Sequence, residues 1–199
     1  DSNTLSIDAS NNRVGIGTAA PTNPLEVAVG AADESVRLSC YSTTDAHHGA
    51  LLFTKSGNAT IGTAAATADG ETLGSIVAQG HHTGNAVKAA ASIKFQGDAA
   101  PDGDSVPGRI IFSTSDLDDA GSPTERMRIN SAGAVQISHA VTPDFSLNDT
   151  AGTTNKRVFR ISGGGDAIYF EGRNNDNTGD GAAGTIQTLS LTDGDVTFE

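Results

Sequence analysis

Residues that form turns interrupt this chain about every ten residues, and its apolar residues lie in short runs between those turns. The runs at residues 14–16, 109–114 and 135–137 are rich in β-branched side chains or alternate apolar and polar positions, which is typical of strands. Gly, Asn, Asp and Pro separate the runs, as they do in chains built from hairpins. The pattern predicts an all-β fold of short hairpins and small β domains, with little or no helix.

Residues 86–95 (AVKAAASIKF) are the exception, because Ala and Lys favour a helix. However, Gly84 and Gly97 bound this stretch closely, and ASIKFQ alternates between apolar and polar residues. The glycines and the alternation favour an extended conformation, so we predict a strand here.

The chain has few large side chains from which to build a core of its own. Leu, Ile, Val and Phe together number 40 of the 199 residues, whereas Ala numbers 28 and Gly 24, and there is no Trp. Such a chain either remains partly disordered or folds by packing against other chains. We predict the second, because small residues allow several backbones to approach closely.

The net charge of −12 limits the partners of the chain. Binding to nucleic-acid phosphates or to an anionic membrane surface relies on Lys and Arg, so the acidic excess argues against both. No apolar run approaches the roughly 20 residues that span a bilayer. The sequence therefore predicts no nucleic-acid partner and no membrane insertion.

Two segments of the chain share the same order of residues. LSIDASNNRVGI at residues 5–16 and MRINSAGAVQI at residues 127–137 each contain an apolar-x-Ile unit, an Asp or Asn, a turn and Val-x-Ile. Pro21 and Pro143 come after them, each before a short strand. We interpret this order as two tandem units. The predicted domains are a shaft hairpin collar at residues 1–30, a first β domain at 31–126, a second hairpin collar at 127–147 and a smaller or truncated β domain at 148–199.

Five segments between Leu5 and Ser138 carry a family resemblance. In chain order they read RVGIGTAAPTNPLEV, ETLGSIVAQG, ASIKFQGD, PGRIIFSTSD and SPTERMRINSAGAVQIS. Together they resemble the repeat region of bacteriophage tail fibre proteins, often those of marine phages. The combination of PGRIIFST with SPTERMRI is specific, whereas VGIGT alone is not. The resemblance extends over about two thirds of the chain.

The resemblance implies a tail fibre protein on the outside of the virion. It implies an elongated homotrimeric fibre whose chains lie side by side along the fibre axis. The implied partners are other virion tail proteins and a glycan or protein on the host cell surface. The implied role is to reach or grip that surface.

Exposed loops are the candidate receptor contacts. The first candidate is a histidine-rich turn with His81, His82 and Asn85, and the second is a loop with Asn174, Asp176, Asn177 and Asp180. The second loop has the oxygen-rich side chains of a calcium site, but Gln187 stands where an EF-hand places its Glu. Adjacent histidines point to opposite faces of a strand and do not easily chelate one ion. We therefore predict no metal site and no cofactor.

No grouping of residues predicts catalysis. GIGTAA at residues 15–20 fits a dinucleotide-binding fingerprint, but Pro21 and Pro24 exclude the helix that this fingerprint requires. Cys40 has no distinctive neighbourhood, and the paired aspartates are typical of turns. We predict that the chain is not an enzyme.

Arg126 and Arg128 flank Met127 in a predicted strand, so we expect the two arginines to share one face, with Glu125 beside them. Two interpretations remain open for this cluster. It forms an ion pair between chains of a trimer, or it forms a charged edge that discourages aggregation between sheets.

The predicted function is mechanical and adhesive. The chain is expected to be a stiff spacer of a phage tail fibre that carries or partly forms a host-recognition surface, where trimer symmetry multiplies weak contacts to polysaccharide. Two alternatives remain. One is a subunit of a secreted bacterial filament or adhesin. The other is a monomeric carbohydrate-binding β-sandwich, which requires the large apolar residues to converge on one core.

Overall fold

A computed structural model describes residues 4–28, 30, 35–117, 119–140, 143–148, 158–164, 167–173, 185–190 and 197–198. These residues form thirteen strands and no helix, so the fold is all-β, as predicted. The chain divides into two compact units, Asp1–Leu52 and Phe53–Glu199. In the part of the chain described, no helix has the length and apolar character needed to cross a membrane.

The first unit contains a three-stranded sheet of β1 (Ser6–Asp8), β2 (Arg13–Ile16) and β3 (Leu25–Val27). β1 and β2 form an antiparallel hairpin, and β3 runs parallel to β2. The backbone N–H of Val14 donates to the carbonyl of Pro24 at 2.8 Å, which aligns the start of β3 with β2.

The second unit begins with a five-stranded antiparallel sheet, here called the central sheet, whose strands are neighbours in chain order. Its strands are β4 (Thr72–His81), β5 (Val87–Gly97), β6 (Gly108–Thr114), β7 (Thr124–Ile129) and β8 (Val135–Ile137). The strand predicted from the alternation in ASIKFQ is confirmed as part of β5. Pairing with β4 and β6 on both sides overrides the helix propensity of its Ala and Lys residues.

Another five-stranded antiparallel sheet lies later in the same unit. It comprises β9 (Asp144–Asn148), β10 (Val158–Gly164), β11 (Ala167–Arg173), β12 (Thr185–Ser190) and β13 (Thr197–Phe198). Each strand pairs with its neighbour in the chain, as in a simple meander.

The two hairpins that share a sequence pattern also share a register, in which an Ile lies opposite a Val (Ile7 with Val14, and Ile129 with Val135). In each turn, one side-chain oxygen accepts hydrogen bonds from two backbone N–H groups and so stabilises the turn. This oxygen is Asp8 Oδ1 in the first hairpin and Asn130 Oδ1 in the second. The next strand along the chain differs between the two hairpins, since β3 pairs with β2 whereas β9 belongs to a different sheet from β8.

The central sheet has one apolar and one polar face. Its register aligns two rows of side chains across all five strands: Ile76, Ile93, Phe112, Met127 and Ile137, and then Gly74, Phe95, Ile110, Ile129 and Val135. We call these two rows the apolar face. On the opposite, polar face, the row through Ile111 contains Ser75, Lys94, Arg128 and Gln136.

The described residues bury very little apolar surface. Burial is described for Ile161 and for the described residues up to 147, and among these Ile111 is the only buried hydrophobic residue. The long side chains of Lys94 and Arg128 lie opposite it on the two neighbouring strands. No residue of the apolar face is buried. The chain exposes 14302 Å², whereas a folded monomer of 20.1 kDa exposes about 8700 Å². The part of the chain whose burial is described therefore provides only a small core for a protein of this size.

Candidate functional site

The β4–β5 turn places three of the predicted contact residues at one end of the central sheet. β4 ends at His81, and the turn closes through a bond from the His82 N–H to the Ala86 carbonyl at 3.2 Å. Asn85 has a φ of 62°, a left-handed conformation that Asn tolerates in turns. His81, His82 and Asn85 are all exposed. The turn therefore presents these side chains to solvent, as a contact surface requires.

The imidazole of His82 has a defined hydrogen-bonding role. The backbone N–H of Gly84 donates to Nδ1 of His82 at 2.9 Å. A neutral imidazole that accepts at Nδ1 carries its proton on Nε2, which remains available as a donor. A Cβ added to Gly84 would lie 2.6 Å from His82 Cε1, so this ring position requires glycine beneath it.

A groove of about 550 Å³ opens beside this turn. Three chain segments line it, namely the end of β4, the start of β5 and the loop between β6 and β7 (residues 80–82, 88–90, 115–117 and 120–121). Lys88 is exposed and has no ion-pair partner among the described residues. Leu117 is also fully exposed. Asn85 is not part of the lining, although it lies in the adjacent turn.

Two β-bulges shape this end of the sheet. The register between β4 and β5 shifts so that Ala90 is an extra residue on β5, and the register between β6 and β7 makes Arg126 an extra residue on β7. The carbonyl of Ala90 accepts the N–H of Ser115 at 2.8 Å, where the β6–β7 loop begins. Bulges bend a strand and redirect its side chains, and they are common next to binding sites.

The loop between β6 and β7 is held by ionic contacts. Arg126 Nη2 lies 2.9 Å from Asp116 Oδ2 and 3.9 Å from Asp119 Oδ2, and Arg126 Nε donates to Thr114 Oγ1. Asp119 also accepts from the Thr124 hydroxyl at 2.6 Å and from the Asp116 N–H at 2.9 Å. The hydroxyl, this N–H and the guanidinium lower the pKa of Asp119. The carboxylates of Asp116 and Asp119 are thus engaged in fixing the shape of the loop.

The expectation that Arg126 and Arg128 share one face is wrong, because Arg126 is the bulged residue. Residues three apart lie on opposite faces of a regular strand, but the extra residue brings Glu125 and Arg128 to the same face. Arg128 Nε lies 2.5 Å from Glu125 Oε1 and Nη2 lies 2.8 Å from Oε2. Both arginines therefore form ion pairs within the chain.

At the other end of the central sheet, Asp98 joins segments that are distant in sequence. Its Oδ1 accepts from Arg109 Nη1 at 3.1 Å, and its Oδ2 accepts from the N–H and the hydroxyl of Ser131 at 2.8 and 2.7 Å. The two Ser131 groups and the Arg109 guanidinium lower the pKa of Asp98. We call these three residues the Asp98 clamp. They come from the segments ASIKFQGD, PGRIIFSTSD and SPTERMRINSAGAVQIS, so the clamp connects the motifs of the resemblance.

The second predicted contact loop, with Asn174, Asp176, Asn177 and Asp180, lies outside the described residues. Within the described residues, no group of three or more His, Cys, Asp or Glu side chains is arranged to hold a metal ion. Cys40 is an exposed free thiol. The groove and its adjacent turn are therefore the candidate site that the structure places.

No family model and no curated protein matches this chain. Among solved structures, it is similar to the carboxy-terminal domain of the bacteriophage T5 L-shaped tail fibre, with 19% identity and a TM-score of 0.45. The similarity covers 65% of this chain and 46% of that one, so the chain spans less than half the length of its structural neighbour. A similarity at this level assigns no function, so a function has to be inferred from the residues of the chain itself.

Proposed function

We propose that this chain is a structural and adhesive segment of a bacteriophage tail fibre and that it forms a homotrimer on the outside of the virion. The observation that carries the proposal is that four of its five signature segments build a sheet whose apolar face is not buried in the single chain. The surface of the single chain exceeds that of a folded monomer by about 5600 Å². Packing against two other copies supplies the missing core.

A fibre segment must be stiff and soluble. The Asp98 clamp ties loops together at one end of the central sheet, and Arg126 holds the β6–β7 loop at the other end. The central sheet would then act as a firm unit rather than as a set of separate hairpins. The net charge of −12 would keep assembled fibres soluble and apart.

In this proposal, the groove and the β4–β5 turn contact the host surface. His82 offers a donor at Nε2, Lys88 a cation that has no ion-pair partner among the described residues, and Leu117 an exposed apolar side chain. These groups suit a glycan or a protein loop. Three copies multiply a weak contact through multivalency. The loop that contains Asn174 and Asp180 is a second proposed contact, and no catalytic role or cofactor forms part of the proposal.

The alternatives differ in location and in mass. A secreted bacterial filament would use the same sheets but would be found on the bacterial cell. A monomeric carbohydrate-binding β-sandwich is disfavoured, because no residue of the apolar face of the central sheet is buried in the single chain. Such a sandwich would enclose many apolar residues between its own sheets.

Antibodies against this chain test its location directly. Immunogold labelling of purified phage particles whose genome encodes the chain should decorate the tail fibres. Label on the bacterial surface, and none on the particles, would favour the filament instead.

Adsorption competition tests the contact role. Purified protein should compete with phage for host cells, and replacing residues 81–86 by a tight Asn-Gly turn should weaken the competition. The matched control replaces residues 102–105, a turn beyond β5 at the opposite end of the central sheet, by a Gly/Ser loop of equal length. If both variants compete as well as the wild type, the groove end does not contact the receptor.

A further inference from the structure

We propose that the apolar face of the central sheet is the surface through which three copies of this chain pack, with its two rows directed at the assembly axis. The inference rests on the proposed homotrimer. It adds which face of which sheet forms the contact between the copies.

The two rows are continuous across the sheet. In the first row, Ile76, Ile93 and Phe112 lie opposite one another on β4, β5 and β6, and the row continues through β7 and β8. Neither row contains a charged residue. Five strands spaced about 4.8 Å apart give an apolar strip about 20 Å wide. An antiparallel sheet of this kind normally packs its apolar face on a core.

Seven of the ten residues in this strip are half-buried and none is buried, and the three exposed ones lie on the edge strands β4 and β8. Ile76, Val135 and Ile137 are 50%, 61% and 37% exposed. Phe53 covers one corner, since its ring lies 5.9 Å from that of Phe95 and above Gly74, but Phe53 is itself 42% exposed. The large remainder of the strip needs a partner.

A second and third copy suit the strip in chemistry and in size. The strip is uncharged and identical in every copy, so three strips facing one axis would bury one another without separating charges. The surplus of about 5600 Å² belongs to the whole chain, of which the strip is one part, and obligate assemblies bury areas of this order.

The polar face is a poor candidate for this contact. Lys94, Arg109 and Arg128 lie on it, and Ile111, which lies opposite Lys94 and Arg128, is already buried within the single chain. Packing copies through this face would bury charges, which is costly unless each one is paired.

Neighbouring residues on β4 provide a matched test. Ile76 lies on the apolar face and Val77 on the polar face, and they are 50% and 46% exposed in the single chain. In the full chain with Cys40→Ser, to remove the exposed native thiol, Ile76→Cys and Val77→Cys are compared by their rates of reaction with a maleimide reagent. Circular dichroism confirms the fold, and light scattering gives the mass of each variant.

We expect both variants to have a trimeric mass. The Ile76→Cys thiol should react about tenfold or more slower than the Val77→Cys thiol, because the reagent reaches it only when the interface opens. The two rates should become equal in denaturant. A trimer with equal native rates, or with the slower rate at Val77→Cys, overturns the assignment of the face but leaves the homotrimer intact. A monomeric mass for both variants and for the Cys40→Ser parent overturns the homotrimer and this inference together.

Discussion

Replacing Ile111 by Ala tests whether the polar face of the central sheet contains a small core within the single chain. The change removes three carbon groups, and Ile111 is only 6% exposed. At about 0.8 kcal/mol for each buried group, the lost transfer free energy is about 2.4 kcal/mol per chain. The cavity left between Lys94 and Arg128 adds to this loss, which places the total at about 3 kcal/mol.

Val77→Ala is the matched control for this prediction, because Val77 also lies on the polar face but is 46% exposed. It removes two carbon groups that are about half buried, so the expected loss is about 0.9 kcal/mol. Urea unfolding followed by circular dichroism measures both variants. All samples are compared at one protein concentration, since assembly makes stability depend on concentration.

We expect Ile111→Ala to lower the free energy of unfolding about three times as much as Val77→Ala does, with the oligomeric mass unchanged for both. Equal losses, or a loss of less than about 1 kcal/mol for Ile111→Ala, would show that this side chain is not buried as the structure places it.

Three further variants test the contacts at the ends of the central sheet. Because the pKa of Asp98 is lowered in the folded chain, its carboxylate stabilises the fold above the ordinary Asp pKa of about 3.9. This contribution to stability is lost as the pH falls through the folded pKa. Asp98→Asn should therefore make the melting temperature less sensitive to acid, as measured from about pH 6 to about pH 2. Gly84→Ala should displace the His82 ring and weaken host adsorption at unchanged mass, whereas equal adsorption would argue against a contact there. Arg126→Gln should release the β6–β7 loop, seen as faster hydrogen exchange at the Ser122 N–H, and unchanged exchange would contradict this.

The strands of this protein are predictable because their signals are local. Alternation within residues 92–96 outweighs the helix propensity of the preceding Ala and Lys residues, and the strand is observed there. The hairpin at β7–β8 is explained by Asn130 and Gly133, which suit a turn that needs a side-chain acceptor and a φ of 81°. Both signals lie within a few residues of the structure they determine.

The site depends on features that the sequence does not reveal. The bulge at Arg126 reverses the expected relation of the two arginines, because one extra residue changes which face each later side chain occupies. Asp98 and Ser131 are 33 residues apart, and only the pairing of β5, β6 and β7 brings their loops together. The groove combines a turn with a loop more than 30 residues further along the chain. Of its lining residues, the sequence therefore points only to the histidines as candidate contacts.

Light scattering coupled to size exclusion tests the central claim most directly, namely that this chain completes its core with other copies of itself. A mass near 60 kDa, three times 20.1 kDa, is the predicted result. A single folded species near 20 kDa would contradict the homotrimer, since it would show that one chain is stable with its apolar face uncovered by another copy.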